Sequence, residues 1–264
     1  MSDLKSSQKD SELGRAAYSA PALEKGLDIL ELLCRSETPL SQKDISRHLG
    51  RSVSELYRML TSLVDRGYVA NVDDRYIVTT KLFELAHINP PTQRLLSEAA
   101  PIMLKLSNDL DQSCHMTVYN TGRQMVVMKF DSPSGIGYSV RVGAELDVLV
   151  SASGRVLLAF QDDETRQLRI EESIKRCPHH ADLQIYDVLE AIKARGFESI
   201  ASAQVRGLHA ISFPVLDHTG HAIAALSVPY AERIDLESRT PVAVVENILG
   251  AAAHSLCIRI VGNL

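Results

Sequence analysis

The chain has 264 residues, of which 45% are hydrophobic and 23% charged, and its formal net charge is −5. This composition is typical of globular proteins and excludes a largely disordered or fibrous chain, and a length of this order predicts two domains. No apolar run approaches the roughly 20 residues that span a bilayer, and the polar N-terminus lacks the apolar stretch of a secretion signal. We therefore expect a cytoplasmic protein without membrane contact.

The first helix is predicted over Pro21–Arg35, where leucines recur at helical spacing behind a proline that favours a helix start. The preceding residues, 1–19, are polar and show no periodicity, which predicts a flexible tail.

Two further helices follow, each with its own start signal. Ser41, with Asp44 three residues later, resembles a capping box, and Gly50 marks the end of that helix. Ser52 can cap a third helix over Val53–Arg66. The pattern predicts two helices joined by a tight turn.

A β-hairpin is predicted next. Tyr68–Val72 and Arg75–Val78 have the composition of short strands, and Asp73-Asp74 is a turn signal between them. The order of helix, helix, turn, helix and hairpin is typical of a winged helix-turn-helix domain.

A connecting segment separates this region from the rest of the chain. Leu82–His87 predicts a short helix, and Asn89-Pro90-Pro91 breaks it. Thr92–Leu110 is helical again, with Pro101 expected to split the helix or start a new turn. We interpret 89–112 as a linker helix.

Strands and helices alternate in the second half of the chain. The predicted strands are Cys114–Tyr119, Met125–Phe130, Gly137–Val142, His209–Leu216 and His221–Pro229. The predicted helices are Ser153–Gln161, Asp163–Ile174, Asp187–Arg195 and a closing helix from about Pro241 to Ile260. This order predicts one α+β domain with an antiparallel sheet.

Several strings along the chain match a known family in order and spacing. In the first half these are Ala22–Leu33, Pro39-Leu40-Ser41, Ile45, Leu49-Gly50, Tyr57–Leu60 and Gly67-Tyr68-Val69. In the second half they are Val142-Gly143, Ser151–Ala159, Gly196-Phe197, Gly207-Leu208, Ile211–Asp217 and Ala224–Val228. From about Pro21 to Leu256 the chain resembles the IclR-type bacterial transcription regulators.

The resemblance implies an α+β architecture: a winged helix-turn-helix DNA-binding domain (20–88), a linker helix (89–112) and a GAF-like effector-binding domain (113–264) with an antiparallel sheet flanked by helices. It implies double-stranded promoter DNA and a small organic-acid effector as partners, in a homodimer or a tetramer. Repression is the commoner mode in the family.

The expected DNA contacts centre on the third helix, because a recognition helix presents its N-terminal residues to base edges. The candidate residues are Ser41, Lys43, Arg51, Ser52, Ser54, Glu55, Tyr57, Arg58 and Arg75. Arg58 is suited to bind guanine or a phosphate, and we expect contacts to the DNA backbone from Lys43, Arg51 and Arg75. Glu55 lies where the family usually has Thr or Ser. A carboxylate there repels phosphates but can accept a hydrogen bond from the cytosine N4 amino group.

The expected effector site begins at Ser151-Ala152-Ser153-Gly154, where small residues precede an apolar helix. A helix N-terminus offers N–H groups and partial positive charge to a carboxylate, although the residues alone favour an ordinary capped helix. The resemblance adds Leu208, His209, Ala210 and Ser227. Met116, Met128 and Tyr138 are candidates for an adaptable apolar wall, with core packing equally open for the methionines.

Three other interpretations remain at this point. One is a GAF-like ligand-binding or hydrolytic protein whose helix-turn-helix has no DNA-binding role, and another is a pure dimerisation module. We expect no enzyme, because the nucleophile-elbow, phosphate-loop, zinc-protease and dinucleotide motifs are absent from the sequence.

The third interpretation is a metal site at Cys177-Pro178-His179-His180. No second cluster of ligand residues at a suitable spacing supports it. We therefore expect a histidine-rich surface loop, no metal and no cofactor.

Overall fold

The computed structural model describes residues 20–233 and 240–262. The predicted tail at 1–19 lies outside the described residues. The chain divides into two compact units, the first ending at Thr92 and the second beginning at Gln93.

The first unit contains the predicted helices and hairpin. Its elements are α1 (Pro21–Arg35), β1 (Leu40–Ser41), α2 (Gln42–Leu49), α3 (Val53–Asp65), β2 (Val69–Val72), β3 (Arg75–Val78) and α4 (Lys81–Ile88). The three strands form an antiparallel sheet in the order β1-β3-β2. This is a helix-turn-helix followed by a wing, as the sequence predicts.

Local signals explain why these elements form. Ile29, Ile45 and Leu56, one from each helix, are fully buried and meet in a common core. Asp73 and Asp74 adopt φ angles of 51° and 58° between β2 and β3, the left-handed pair that a two-residue hairpin turn requires. The core aligns the three helices, and the turn fixes the register of the wing.

The connecting helix, α5 (Pro90–Leu110), is continuous through Pro101. Proline removes one backbone hydrogen bond inside a helix, but packing holds this helix on both sides of it. The residues buried in the core of the second unit include Leu95, Ala99, Met103, Leu106 and Leu110. The expectation that Pro101 splits the helix is therefore wrong, and from Leu95 onward α5 belongs to the core of the second unit.

The second unit is a six-stranded antiparallel sheet with helices on both faces. Its further elements are β4 (Cys114–Asn120), β5 (Arg123–Phe130), β6 (Glu145–Leu146), α6 (Ala152–Ala159), α7 (Asp163–Arg176), a 3₁₀ turn (Pro178–His180), α8 (Ile185–Arg195), β7 (Glu198–Ala201), β8 (Leu208–Leu216), β9 (Ala222–Ala231) and α9 (Val242–Val261). The strand order is β6-β5-β4-β9-β8-β7. One apolar core lies between the sheet and α5 with α9, and a second lies between the sheet and α6, α7 and α8. The predicted α+β class is confirmed.

One predicted strand is absent from the structure, and β7 is a strand that the sequence pattern did not predict. Gly137–Val142 is not a strand, because the backbones of Gly143 and Ala144, followed by β6, take the pairing positions along β5. The segment itself pairs with no strand among the described residues. Conversely, β7 has no alternating apolar pattern, and its place in the sheet comes from its pairing with β8.

The closing helix α9 is long and apolar enough, by length and composition alone, to cross a membrane; no other helix in the described ranges is. Core helices of water-soluble domains pass the same test. The residues of α9 that are buried are Val245, Leu249, Ala253, Leu256 and Ile260, which belong to the core on the sheet. Packing therefore explains the apolar residues on one face of α9, whereas Val244, Ile258 and Val261 remain exposed.

Candidate DNA-reading and ligand-binding sites

The first helix of the helix-turn-helix, α2, begins with a reciprocal cap. The Ser41 hydroxyl accepts from the Asp44 N–H at 3.2 Å, and the Asp44 carboxylate accepts from the Ser41 N–H at 3.3 Å and from its hydroxyl at 2.6 Å. These hydrogen bonds hold the pKa of Asp44 below its usual value. Gly50 ends the helix with φ of +62°, which costs a glycine little. The capping box is confirmed, and it engages the Ser41 hydroxyl.

The recognition helix α3 begins with a second reciprocal cap, which is tied to α1. The Ser52 N–H donates to the Glu55 carboxylate at 3.0 Å, and the Ser52 hydroxyl donates to it at 2.8 Å. Lys25 of α1 donates to the other Glu55 oxygen at 3.0 Å. Lys25, followed by Ser52, lowers the pKa of Glu55 to about 2. Both carboxylate oxygens of Glu55 are therefore engaged within the unit.

The outer face of α3 carries the side chains that remain available. Tyr57 is 58% exposed, and Arg58 is exposed and makes no ion pair with the described residues. The Ser54 hydroxyl lies 3.2 Å from that of Ser52. The structure therefore places Ser52, Ser54, Tyr57 and Arg58 together on the first turns of this helix.

Three predicted basic contacts lie on other segments of the first unit. Lys43 on α2 is exposed and makes no ion pair within the described residues. Arg51 lies 3.5 Å from the Asp28 carboxylate, and Arg75 on the wing donates to the Pro39 carbonyl at 3.1 Å. Exposed contacts of this kind are weak, so all three cations are available to phosphates.

In the second unit, a partly open cavity with a volume of about 60 Å³ lies between the sheet and the N-terminus of α6. Of the predicted effector residues, those that line it are Tyr138, Ser151, Ala152, Ser153, Leu208, Ala210 and Ser227. Those that do not are Met116, Met128, Gly154 and His209.

Strand geometry explains three of the four residues outside the cavity, because alternate side chains point to opposite faces of a sheet. Met116 and Met128 are cross-strand partners in the core beside α5 and α9. His209 lies between the cavity residues Leu208 and Ala210, and its Nε2 is 2.9 Å from the Ser199 hydroxyl. These side chains are therefore occupied away from the cavity.

Gly154 has a structural role behind the cavity. A Cβ atom at this position would lie 2.2 Å from the Val148 carbonyl oxygen and 2.4 Å from its Cα. The N–H of Gly154 donates to the Ser151 hydroxyl at 3.1 Å. The glycine therefore lets α6 start directly against the preceding loop, which positions Ser151–Ser153 at the cavity.

Ser151 is fixed where α6 begins. Its hydroxyl donates to the Asp147 carbonyl at 2.5 Å and accepts from the Gln124 amide at 2.5 Å. The first N–H groups of a helix have no intrahelical partner, and those of Ala152 and Ser153 have no partner among the described residues. The Ser153 side chain is only 4% exposed and likewise lacks one. This wall of the cavity offers donors with partial positive charge.

His115 lines the cavity from β4 and was not among the predicted residues. It is 6% exposed, and its ring nitrogens form no hydrogen bond with the described residues. Burial lowers its pKa to about 4. The sequence pattern could have indicated this position, because His115 and Thr117 alternate with apolar Cys114, Met116 and Val118 and so share one face of the strand.

Two other clusters among the described residues resemble chemical sites without the required geometry. The Ser199 hydroxyl donates to Glu246 at 2.5 Å and lies 2.9 Å from His209. In a hydrolytic triad the acid instead holds the histidine, which takes the serine proton. His180 lies 3.3 Å from Asp147, and no group of three His, Cys, Asp or Glu in the described ranges is arranged to hold a metal ion.

Comparisons with known proteins match both units. The bacterial transcriptional regulator IclR C-terminal family matches residues 91–258, and the IclR helix-turn-helix domain matches residues 22–73. The chain is 27% identical to the HTH-type transcriptional regulator KdgR of Escherichia coli over 84% of its length and 86% of the relative's.

Solved structures show the same fold. Pseudomonas aeruginosa HmgR, 25% identical, superposes with a TM-score of 0.69 over 92% of this chain and 100% of that one. An IclR homologue from Microbacterium hydrocarbonoxydans, solved with 4-hydroxybenzoate and 20% identical, gives a TM-score of 0.71 over 90% and 98% of the two chains. The relatives are transcriptional regulators and not enzymes. This chain belongs to the IclR family of bacterial transcriptional regulators.

Proposed function

We propose that this protein is a cytoplasmic repressor whose affinity for its operator is set by a small organic acid bound in the cavity of the second unit. The observation that carries the proposal is the pairing, in one chain, of an exposed recognition helix that has a reciprocal N-terminal cap with a cavity whose hydrogen-bonding groups include several without a partner among the described residues. Neither a pure dimerisation module nor a hydrolase needs both.

On DNA, we assign base recognition to the first turns of α3. Arg58 is the guanidinium available for guanine O6 and N7, and Ser54 and Tyr57 adjoin it. Lys43, Arg51 and Arg75 are assigned to phosphates, which position the helix without reading sequence. Glu55 is assigned a positioning role, because its carboxylate holds Ser52 and Lys25.

A homodimer would double these contacts. The segment from 41 to 66 has five basic and three acidic side chains, so its net charge is only +2. Large apolar side chains are exposed on α1 and α4, with Leu23 at 63%, Phe83 at 65% and Ile88 at 60%. We propose that these faces bury against a second copy, which would give the two-fold symmetry of a palindromic operator; a tetramer would pair two such dimers.

In the cavity, we assign the effector's carboxylate to the start of α6. The N–H groups of Ala152 and Ser153 and the Ser153 hydroxyl have no partner within the described part of the chain, and the helix dipole favours an anion at this end. A matching precedent is the structural neighbour solved with 4-hydroxybenzoate. Ser227 and Tyr138 contribute hydroxyls on other walls.

Coupling requires the effector to bind more tightly to one of two arrangements of the assembly, one competent for DNA and one not. The helix α5 is the covalent connection, and its apolar face is fixed in the core of the ligand-binding unit from Leu95 onward. A coupling of about 1–3 kcal/mol would change operator affinity about 5- to 150-fold.

The test of DNA binding is fluorescence anisotropy with duplex DNA from upstream of the protein's own gene, compared with a scrambled duplex across a salt series. We expect selective binding that weakens steeply as salt rises, because phosphate contacts release counterions. Equal, weak binding to every genomic duplex in a selection would favour a protein whose helix-turn-helix has no DNA-binding role. Deleting the gene should raise expression from the operator; a fall would identify an activator instead.

A further inference from the structure

His115 is the group in the cavity whose chemistry the proposed function leaves unassigned. The residue is only 6% exposed, and its ring nitrogens, which are not among the fully enclosed polar atoms, form no hydrogen bond with the described residues. Nearly all polar groups inside proteins are satisfied by protein, water or ligand, so the ring is available to a molecule in the cavity. The ring lies on the sheet side of the cavity, whereas the free N–H groups lie at the start of α6.

The lining of the cavity carries no charged side chain. Among the described residues that form it, none is Asp, Glu, Lys or Arg, and the polar side chains are Ser, Gln, Tyr and His. A cation beside His115 on the sheet is Lys129, its cross-strand partner on β5. Its ammonium group is already paired with both oxygens of Asp131 at 2.9 Å and with the Ser139 hydroxyl at 3.2 Å.

We propose, building on the effector role proposed above, that His115 is a neutral hydrogen-bonding contact that selects a monocarboxylate bearing a hydroxyl or carbonyl group over a dicarboxylate. The carboxylate of such a molecule binds at the start of α6, and its second polar group binds the His115 ring. The apolar walls, which include Val140, Val150 and Ile200, contact the carbon skeleton between the two.

The protonation state of His115 supports this assignment. Burial lowers its pKa to about 4, so near neutral pH the ring has one N–H donor and one acceptor nitrogen. A neutral ring can donate to a carbonyl, or accept from a hydroxyl. It supplies no positive charge to a second carboxylate, whose burial without a cation is strongly unfavourable.

The experiment measures ligand binding to the full-length chain by calorimetry at pH 7. One probe set is 4-hydroxybenzoate, benzoate and terephthalate, and a second is 4-hydroxybutanoate, butanoate and glutarate. Within each set the carboxylate is constant and the far group is a hydroxyl, a hydrogen or a second carboxylate. In at least one set we expect the hydroxy acid to bind about five-fold more tightly than its unsubstituted analogue, and the dicarboxylate to bind at least about ten-fold more weakly than the hydroxy acid.

Two variants assign the preference to His115. His115→Leu replaces the imidazole with an apolar side chain of similar size. It should abolish the five-fold preference for the hydroxy acid while retaining binding of the unsubstituted acid. His115→Gln keeps a neutral donor and acceptor and should restore part of the preference. His218→Leu is the matched control, because it makes the same substitution at an exposed histidine between β8 and β9, outside the cavity lining, and it should leave the preference within two-fold.

Several results would overturn the inference. These are a dicarboxylate that binds as tightly as its hydroxy acid, a hydroxyl preference that persists in His115→Leu, or no binding by any of the six probes at 10 mM. The proposed function fails separately. Probes that bind with the expected order but leave operator affinity unchanged would sustain His115 selectivity and refute ligand control.

Discussion

The two units of this protein expose their functional groups in opposite ways. In the first unit the candidate DNA contacts lie on the outside of α3, and the groups that position them, Ser52 and Glu55, are themselves at the surface. In the second unit the candidate ligand contacts are enclosed, and His115 and Ser153 are almost fully buried. The candidate DNA contacts are therefore positioned by charge and helix capping, and the candidate ligand contacts by packing and sheet geometry.

This difference predicts different sensitivities. An exposed cation can be removed from the first unit with little effect on stability, because surface charges contribute little to folding. A change of one methyl group behind the cavity should disturb the second unit, because buried positions are close-packed. The predictions below test this contrast, from the largest expected effect to the smallest.

Arg58→Ala should cause the largest loss of operator affinity with no loss of stability. A bidentate arginine–guanine contact contributes about 1–3 kcal/mol of discrimination, so the two half-sites of a dimer predict at least about a 30-fold weaker Kd. Anisotropy with the selected operator and thermal unfolding would measure both properties. Arg35→Ala removes the same charge from the end of α1, where Arg35 lies 3.4 Å from Glu31, and should change Kd less than three-fold. Equal losses in the two variants would show that Arg58 contributes only general charge.

Gly154→Ala should destabilise the second unit by about 1–3 kcal/mol or more, because the added methyl group meets the Val148 backbone at 2.2 Å. Gly26→Ala is its counterpart in α1, where a Cβ meets nothing within 4 Å. That change should stabilise the helix by about 0.5–1 kcal/mol. Urea unfolding, monitored by circular dichroism, measures the change in the free energy of unfolding for each variant and shows its sign. No change for Gly154→Ala would refute the close approach of α6 to its preceding loop.

Acidification should destabilise the second unit through His115. Its pKa is about 4 in the folded chain, against 6.5 for the free side chain, so protonation favours the unfolded state. The stabilisation present above pH 6.5 should be lost as the pH falls from 6.5 towards 4, by up to about 3 kcal/mol. His115→Gln should show a shallower pH dependence over that window, measured by urea midpoints between pH 7.5 and 4.5. Parallel profiles for the two proteins would contradict the burial of a neutral ring.

Glu55→Gln should produce the smallest effect, confined to the first unit. The Glu55 pKa is lowered from 4.5 to about 2, first by Lys25 and then by Ser52, so its carboxylate stabilises the fold above pH 4.5 and this contribution fades as the pH falls towards 2. The variant should have a lower Tm at pH 7, and the difference should shrink on acidification. Glu31→Gln, at an exposed ion pair on α1, should leave Tm unchanged. If Glu55 instead contacts a base, Glu55→Gln would change the operator sequence preference and leave Tm nearly unchanged.

How well the sequence predicted each region follows from the range of the interactions involved. The caps at Ser41 and Ser52, and the Asp73-Asp74 turn, depend on residues two or three positions apart, so the sequence alone identified them. The exposed face of α3 could also be predicted, because its apolar residues recur at helical spacing on the buried side and leave the polar residues on the other side.

The cavity depends on contacts between distant segments, and here prediction was less complete. The small residues at Ser151–Ser153 signalled a helix start, and the family resemblance supplied Leu208, Ala210 and Ser227. Which face of β4 lines the cavity depends on the packing of α5 and α9, so Met116 was placed there and its neighbour His115 was missed. Gly137–Val142 has a strand-like composition, but the edge of β5 is occupied by other residues, so Tyr138 reaches the cavity from a loop.

The most direct test of ligand control is a pair of operator titrations with the full-length chain, with and without a saturating carboxylate chosen from the six probes by its binding affinity. We predict that the carboxylate changes the operator Kd between about 5- and 150-fold, and that scrambled DNA shows no such change. Identical operator Kd values with the cavity occupied would contradict the central claim that the second unit controls the first.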